Sequence, residues 1–178
     1  MTRRTTAHLF SSVNGVVESP DQFQFDAFGP EEGEAMGRSL ADVTDVVIGR
    51  KLWQEWSDYW ADKDDDFGAF INPVRKHAIG DLPAEPGWNT TVITGDPIAH
   101  VATLRESGEG TIAVIGGIET IRSLFLAGQI DALTLTVHPA VTGHGRRLFD
   151  ETVPLTRLRL IDAQITSVGN AQLTYAPR

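Results

Sequence analysis

The sequence predicts an α/β domain: a three-layer arrangement with a central mixed sheet, helices on both faces and an antiparallel hairpin at its C-terminal end. Three observations predict it. Short apolar runs closed by glycine recur, Asp45-Val46-Val47-Ile48-Gly49 and Thr111-Ile112-Ala113-Val114-Ile115-Gly116, as strands covered on both faces read. Segments of helical period stand between such runs. The tail instead carries two strand-like segments, Leu158 to Ile165 and Ala171 to Tyr175, joined at Ser167-Val168-Gly169-Asn170, which is the pattern of a hairpin.

Taken in order, Thr6 to Val17 mixes β-branched and aromatic residues and reaches the turn-prone pair Asn14-Gly15, so a strand that kinks at its end is expected. After a loose stretch from Glu18 to Gly29, Pro30 suits a first helical position. Glu31, Glu32 and Glu34 favour the positive helix end, and Met36, Leu40 and Val43 recur at near-helical spacing. The buried strand to Gly49 follows, then a short helix through Leu52 to Trp56. Ser57 to Asp66 has no apolar period and reads as a surface loop. Brief strands are expected at Lys76 to Ile79 and Thr90 to Thr94. Asp96 then caps a helix with Pro97 at its first position and Gly108 stops it. The clearest buried strand runs into Gly116-Gly117 and a helix from Ile118 to Ala127, with Gly128 beyond its end. Ala132 to His138 alternates Leu and Val with Thr and His, a half-exposed strand.

At 178 residues the chain fits one domain, residues 1–178, since domains hold about 100 to 200 residues. A composition 41% hydrophobic and 22% charged is that of an ordinary packed protein. No cysteine is present, so disulfides, thiolate nucleophiles and cysteine metal sites are excluded, and redox chemistry must come from a cofactor. The net charge of −9, with no block of Lys or Arg exceeding two adjacent residues, argues against nucleic acid as a partner. No stretch approaches the ~18 apolar residues of a membrane span, and no long apolar region follows the N-terminal basic pair. Membrane insertion and secretion are therefore not expected, and the cytoplasm is the expected location.

Two local features carry chemistry. Gly116-Gly117, between a strand and a helix start, lets backbone N–H groups approach a diphosphate where the helix end adds positive charge. A tight turn needing glycine is the competing reading. The spaced glycines of a Rossmann fingerprint are absent. Gly49-Arg50-Lys51 follows a buried strand, where ligands collect in α/β sheets, and its cations suit a phosphate; a solvated charge pair is the alternative. Trp53, Trp56, Tyr59 and Trp60 could wall a flat ring or belong to the core, with Trp53 the one best placed for a ligand. Neither the His138 and His144 spacing nor Asp64-Asp65-Asp66 fits a metal site, so none is expected.

In this order and separation, Val46-Val47-Ile48-Gly49-Arg50-Lys51-Leu52-Trp53 and Val114-Ile115-Gly116-Gly117 resemble the Gly-Arg segment and the diglycine turn of dihydrofolate reductases. The chain is still more similar to the reductase domain of the bacterial bifunctional riboflavin-biosynthesis deaminase-reductase and its stand-alone relatives. The carriers are Ser12-Val13-Asn14-Gly15, Asp131-Ala132-Leu133-Thr134-Leu135, Pro139 and Gly143-His144-Gly145-Arg146-Arg147-Leu148-Phe149, and the likeness runs from Thr6 to Tyr175.

The resemblance implies NADPH bound along the strand ends: diphosphate at Ile115, Gly116 and Gly117, the adenosine phosphate near Gly49, Arg50 and Lys51, and Ile79 and Gly80 by the adenosine end. It places the nicotinamide near Ser12 to Val16, with a pterin-, flavin- or aminopyrimidine-like substrate opposite, contacted by Ser12, Asn14 and Trp53. A homodimer is also implied. The proton donor is open. Asp26, Glu31 and Glu34 are candidates by analogy with dihydrofolate reductases, while Asn14 stands where the riboflavin-type reductases usually carry Asp and cannot release a proton near neutral pH. The leading expectation is an NADPH-dependent reductase of a small heterocycle; the rival is a nicotinamide- or flavin-binding protein without turnover.

Overall fold

A computed structural model describes residues 2–24 and 26–178. Its eight strands form one sheet in the order β4-β3-β2-β5-β1-β6-β8-β7, with β1 Thr5–Ser12, β2 Val43–Gly49, β3 Arg75–Ile79, β4 Thr90–Ile93, β5 Thr111–Gly116, β6 Ala132–His138, β7 Leu158–Ile165 and β8 Ala171–Pro177. The pairings among β1 to β6 are parallel, and β8 runs antiparallel to both β6 and β7. The helices are α1 Pro30–Leu40, α2 Arg50–Trp60, α3 Asp66–Ile71, α4 Pro97–Arg105 and α5 Ile118–Leu126.

Strand alternation divides the core in two. Val47, Ile112, Val114 and Leu133 turn to one face, where Val101 of α4 and Ile121 and Leu124 of α5 cover them. Val46, Ile48 and Ala113 turn to the other, under Trp53 of α2 and Ile71 of α3. Continuous apolar runs in β2 and β5 are the sequence record of this double covering. The α4 start follows its local signal, with the Asp96 carboxylate accepting from the N–H groups of Ile98 and Ala99.

Two expectations are corrected. The segment 57–66 is not all loop: α2 continues to Trp60, and Asp65 caps α3 by accepting from the N–H groups of Phe67 and Gly68. The two helix ends hold each other through aromatic contacts, Phe67 lying 5.5 Å from Trp56 and 4.8 Å from Trp60 between ring centroids. Tertiary packing there supplies what a local apolar period lacks. Nor is β6 half-exposed, for Leu133, Thr136 and His138 are each 0% exposed, because the strand lies inside the sheet between β1 and β8. Among the described residues no helix is long and apolar enough to cross a membrane.

Candidate active site

Because β1, β2, β3, β5 and β6 run parallel, their C-terminal ends form a row along one edge of the sheet. Registers of Gly49 with Ile79, Ile48 with Gly116 and Ser12 with His138 set neighbours in that row. At its centre two helices start side by side: α2 after Gly49 and α5 after Gly117, neither capped by a side chain. Their first-turn N–H groups and positive dipole ends therefore converge on one place, which favours an anion.

The glycines there act differently. A Cβ on Gly116 would come 2.3 Å from Leu52 Cδ2, and one on Gly49 would come 3.0 Å from Thr120 Oγ1 and 3.3 Å from the Gly117 nitrogen. These two let α2, the diglycine turn and α5 close on one another. A Cβ on Gly117 would meet nothing within 4 Å among the described residues. The turn thus has a packed side and an open side, and the Gly116–Gly117 peptide is cis.

From this mouth a cleft of about 1510 Å³ runs along the sheet between α1 and α2. Its floor is built from Thr6, His8 and Phe10 of β1, Ala113 and Ile115 of β5, and Thr134 of β6. Met36 lines the α1 side, and Leu52, Trp56 and Tyr59 line the α2 side, being spaced i, i+4 and i+7 on one helix face. At the mouth Arg146 Nε donates to Glu18 Oε1 at 2.8 Å while its Nη1 lies 3.6 Å from Glu119 Oε1. Hydrogen bonds from the Arg146 side chain and backbone hold the Glu18 carboxyl below the usual carboxylate range, and Lys51 adds to this. Arg146 and Lys51 thus supply cations beside the two helix starts.

Residues 3–173 match the RibD C-terminal domain family. The chain belongs to that family. The RibD C-terminal domain superposes on a protein from Shewanella sp. PV-4, provisionally described as a riboflavin biosynthesis protein, with a TM-score of 0.77 at 18% identity over 100% of this chain and 99% of that one. It superposes on a diaminohydroxyphosphoribosylaminopyrimidine deaminase/5-amino-6-(5-phosphoribosylamino)uracil reductase from Thermotoga maritima with a TM-score of 0.71 at 11% identity, over 99% of this chain and 57% of that one. Dihydrofolate reductase from Enterococcus faecalis, solved with NADP(H) and RAB-propyl, gives a TM-score of 0.64 at 13% identity over 100% and 99% of the chains. At these identities the likeness is one of fold. The fold is accordingly dihydrofolate-reductase-like, with its antiparallel C-terminal strands.

In this RibD C-terminal domain Gly49, Arg50, Lys51, Ile79, Ile115, Gly116 and Gly117 all line the one cleft. Gly80 abuts it, since at φ +119 a Cβ there would come 2.9 Å from Arg50 Cβ. The three residues expected to contact substrate are placed otherwise. Trp53 is 7% exposed, packs in the core and donates from Nε1 to Thr90 Oγ1 at 2.9 Å; Leu52 and Trp56, on the adjacent helix face, reach the cleft instead. Ser12 is 1% exposed, with its hydroxyl donating to Asn14 Oδ1 and accepting from the Val16 N–H. Asn14 bridges to Thr142, donating to its carbonyl at 2.7 Å and accepting from its N–H at 3.1 Å. Both polar groups are used to lock the end of β1 to the loop after β6.

The candidate acids also fall outside the cleft lining. Asp26 and Glu34 are exposed, and Glu31 accepts from the Ser167 N–H and hydroxyl in the β7–β8 turn. In the same helix Glu32 is buried, 1% exposed, and accepts from the Gly29 N–H at 2.9 Å and from Asn170 Nδ2 at 2.7 Å. Burial alone would raise its carboxyl, but bonds from Thr166, Asn170 and Gly29 outweigh that and hold it low. Glu32 is thereby an anchor of α1 to the hairpin. The capping-box spacing, an acid three positions into a helix, was its available signal. His8 and Arg146 gave no comparable signal as members of this cleft.

Proposed function

We propose that this RibD C-terminal domain is an NADPH-dependent reductase that transfers a hydride to a small pterin-, flavin- or aminopyrimidine-like heterocycle in the cytoplasm. The observation that carries the reading is the convergence of two helix starts without side-chain caps on the open side of Gly117. Such a cradle fits a diphosphate. Arg50 and Lys51, both exposed at the same mouth, suit the additional phosphate that distinguishes NADPH from NADH. When bound, the nicotinamide supplies the hydride. The chain's own part is to hold the ring and the acceptor in line within the cleft, with Leu52 and Trp56 as an apolar wall that excludes water.

Binding without turnover is the second reading. It is favoured by the engagement of Ser12 and Asn14 in the β1 turn and by the position of Asp26, Glu31 and Glu34 outside the cleft lining. The test is a fluorescence titration with NADPH, since Trp56 and Trp60 line the cleft, followed by mixing with dihydrofolate or the riboflavin-precursor aminopyrimidine. Quenching with substrate-dependent NADPH oxidation supports the reductase; quenching without oxidation supports the binding protein; no response sinks both. Arg50→Ala is expected to weaken NADPH by about tenfold, the loss of one charge-assisted phosphate contact, and to leave NADH unchanged. Equal loss for both nucleotides would remove the phosphate assignment.

A homodimer is part of the same reading. β7 is an edge strand and leaves Leu160, Ile161 and Ile165 at 52%, 40% and 71% exposure, a surface that a second copy would cover. Sedimentation is expected to give the dimer mass at micromolar concentration. A monomer there would exclude it.

A further inference from the structure

Among the floor residues Thr6, His8, Phe10, Ala113, Ile115 and Thr134, the ionisable side chain is His8. Alternation along β1 turns Ala7 and Leu9 into the core beneath the sheet and puts Thr6, His8 and Phe10 on the cleft. His8 pairs in register with Thr134 of β6, and Thr134 with Thr174 of β8. The result is a polar strip across three strands, bordered by the apolar Phe10, Ala113 and Ile115. Its members are already linked. His8 Nε2 lies 2.8 Å from Thr136 Oγ1, and the hydroxyls of Thr134 and Thr174 lie 2.9 Å apart.

Thr136 is 0% exposed, so the bond to it fixes the imidazole from inside the sheet. The Phe10 ring, 5.2 Å away between centroids, limits its rotation. His8 itself is half-buried, and its Nδ1 has no hydrogen-bond partner among the described residues. An imidazole anchored through one nitrogen and bordering an open cleft has its other nitrogen free for a ligand.

We propose that His8 is a specificity-determining residue of the cleft, its Nδ1 hydrogen-bonding the lactam edge of a flat heterocycle, the adjacent N–H and C=O of a pyrimidinone or pterin. The assignment rests on the reductase reading above and narrows its substrate class. Either tautomer serves. With Nε2–H donating to Thr136, Nδ1 accepts from a ring N–H; with the Thr136 hydroxyl donating to Nε2, Nδ1–H donates to a ring carbonyl. The Thr134 and Thr174 hydroxyls can reverse their bond in the same way. Burial, with His138 nearby, lowers the His8 pKa to about 4, so the ring is neutral at pH 7 and suits an uncharged polar edge better than a phosphate. Ala113 and Ile115 beside it offer an apolar surface to the face of the heterocycle.

The experiment is calorimetric titration of 5,6-diaminouracil into wild type, His8→Leu and His8→Gln, each with and without NADPH, with thermal unfolding as a check on folding. His8→Leu is expected to bind the diaminouracil about tenfold more weakly, while His8→Gln, which keeps a donor and an acceptor, loses no more than about threefold. NADPH affinity stays the same in all three. In wild type the His8 ring-nitrogen NMR signals shift when the diaminouracil is added. Equal affinity in wild type and His8→Leu overturns the proposal, and so does the absence of diaminouracil binding to a wild type that binds NADPH. If the diaminouracil shows the His8 dependence but NADPH does not bind, the cofactor reading fails and the His8 assignment stands.

Discussion

Replacing Asp45 by alanine is expected to cost about 3–5 kcal/mol of stability, the range found when one partner of a buried ion pair is removed. Asp45 is 0% exposed at the start of β2 and accepts hydrogen bonds from Arg3 at 2.6 Å, Arg75 at 2.7 Å, His77 at 3.0 Å and Thr44 at 2.9 Å. Arg3 decides the magnitude, because its side chain is only 4% exposed and would be left as a buried charge with only uncharged partners, the carbonyls of Gly110, Leu104 and Ser107 and the Thr44 hydroxyl. Arg75, at 57% exposure, is screened by water, so Arg75→Ala should cost less than about 1 kcal/mol. Burial by itself would raise the Asp45 carboxyl, but the bonds from Arg75, His77, Arg3 and Thr44 outweigh it and hold the group far below its ordinary value of 3.8. A depressed folded value means stability that is complete above the unfolded value and lost as pH falls toward the folded one. Urea unfolding of wild type should therefore weaken below pH 3.8, and Asp45→Ala should lack that component. A variant unfolding at the wild-type midpoint would contradict the argument.

Lys76→Met should act in the opposite direction, raising stability at pH 7 by about 1–3 kcal/mol. Lys76 is 0% exposed in β3, and its ammonium donates to the carbonyls of Val74 at 2.9 Å and Asn72 at 3.2 Å and lies 4.3 Å from the Trp88 ring centroid. No carboxylate pairs with it among the described residues. Burial lowers its pKa from 10.5 to about 8, a difference worth about 3 kcal/mol against the charged form. That cost is present in full below the folded value and is relieved as pH rises toward the unfolded one. Wild type should gain stability in urea between pH 8 and 10.5, and Lys76→Met should not. A Met variant less stable than wild type at pH 7 would mean that the carbonyl and Trp88 contacts outweigh the burial of charge.

Neither effect was legible in the sequence, although both residues sit in strands that were. Asp45 opens an apolar run and Lys76 a brief strand, and neither pattern names the groups that receive the charge, Arg3 for Asp45 and the Asn72 and Val74 carbonyls beside Trp88 for Lys76. The elements themselves were readable where the cause is local. Asp96-Pro97 starts α4 because the cap and the fixed proline angle lie next to the helix they start. The segment 57–66 misled because α2 and α3 are held by aromatic contacts between helices rather than by a period within either.

The same division runs through the cleft. Gly49, Arg50, Lys51, Gly116 and Gly117 stand at the ends of apolar runs, the resemblance to the reductase families added Ile79 and Ile115, and parallel strands put such ends on one edge. The sequence by itself thus determined the strands, the α-helices other than α3, and the glycine-lined mouth. Only the tertiary structure decided which side chains face the cavity below it. Trp53 went to the core while Leu52 and Trp56 took the wall, Ser12 and Asn14 were drawn into a turn by Thr142, and His8 was left bordering open space. Alternation and helical period say which residues share a face. Which face stays uncovered depends on where α1 and α2 come to rest on the sheet, and that is set by packing among residues distant in the chain.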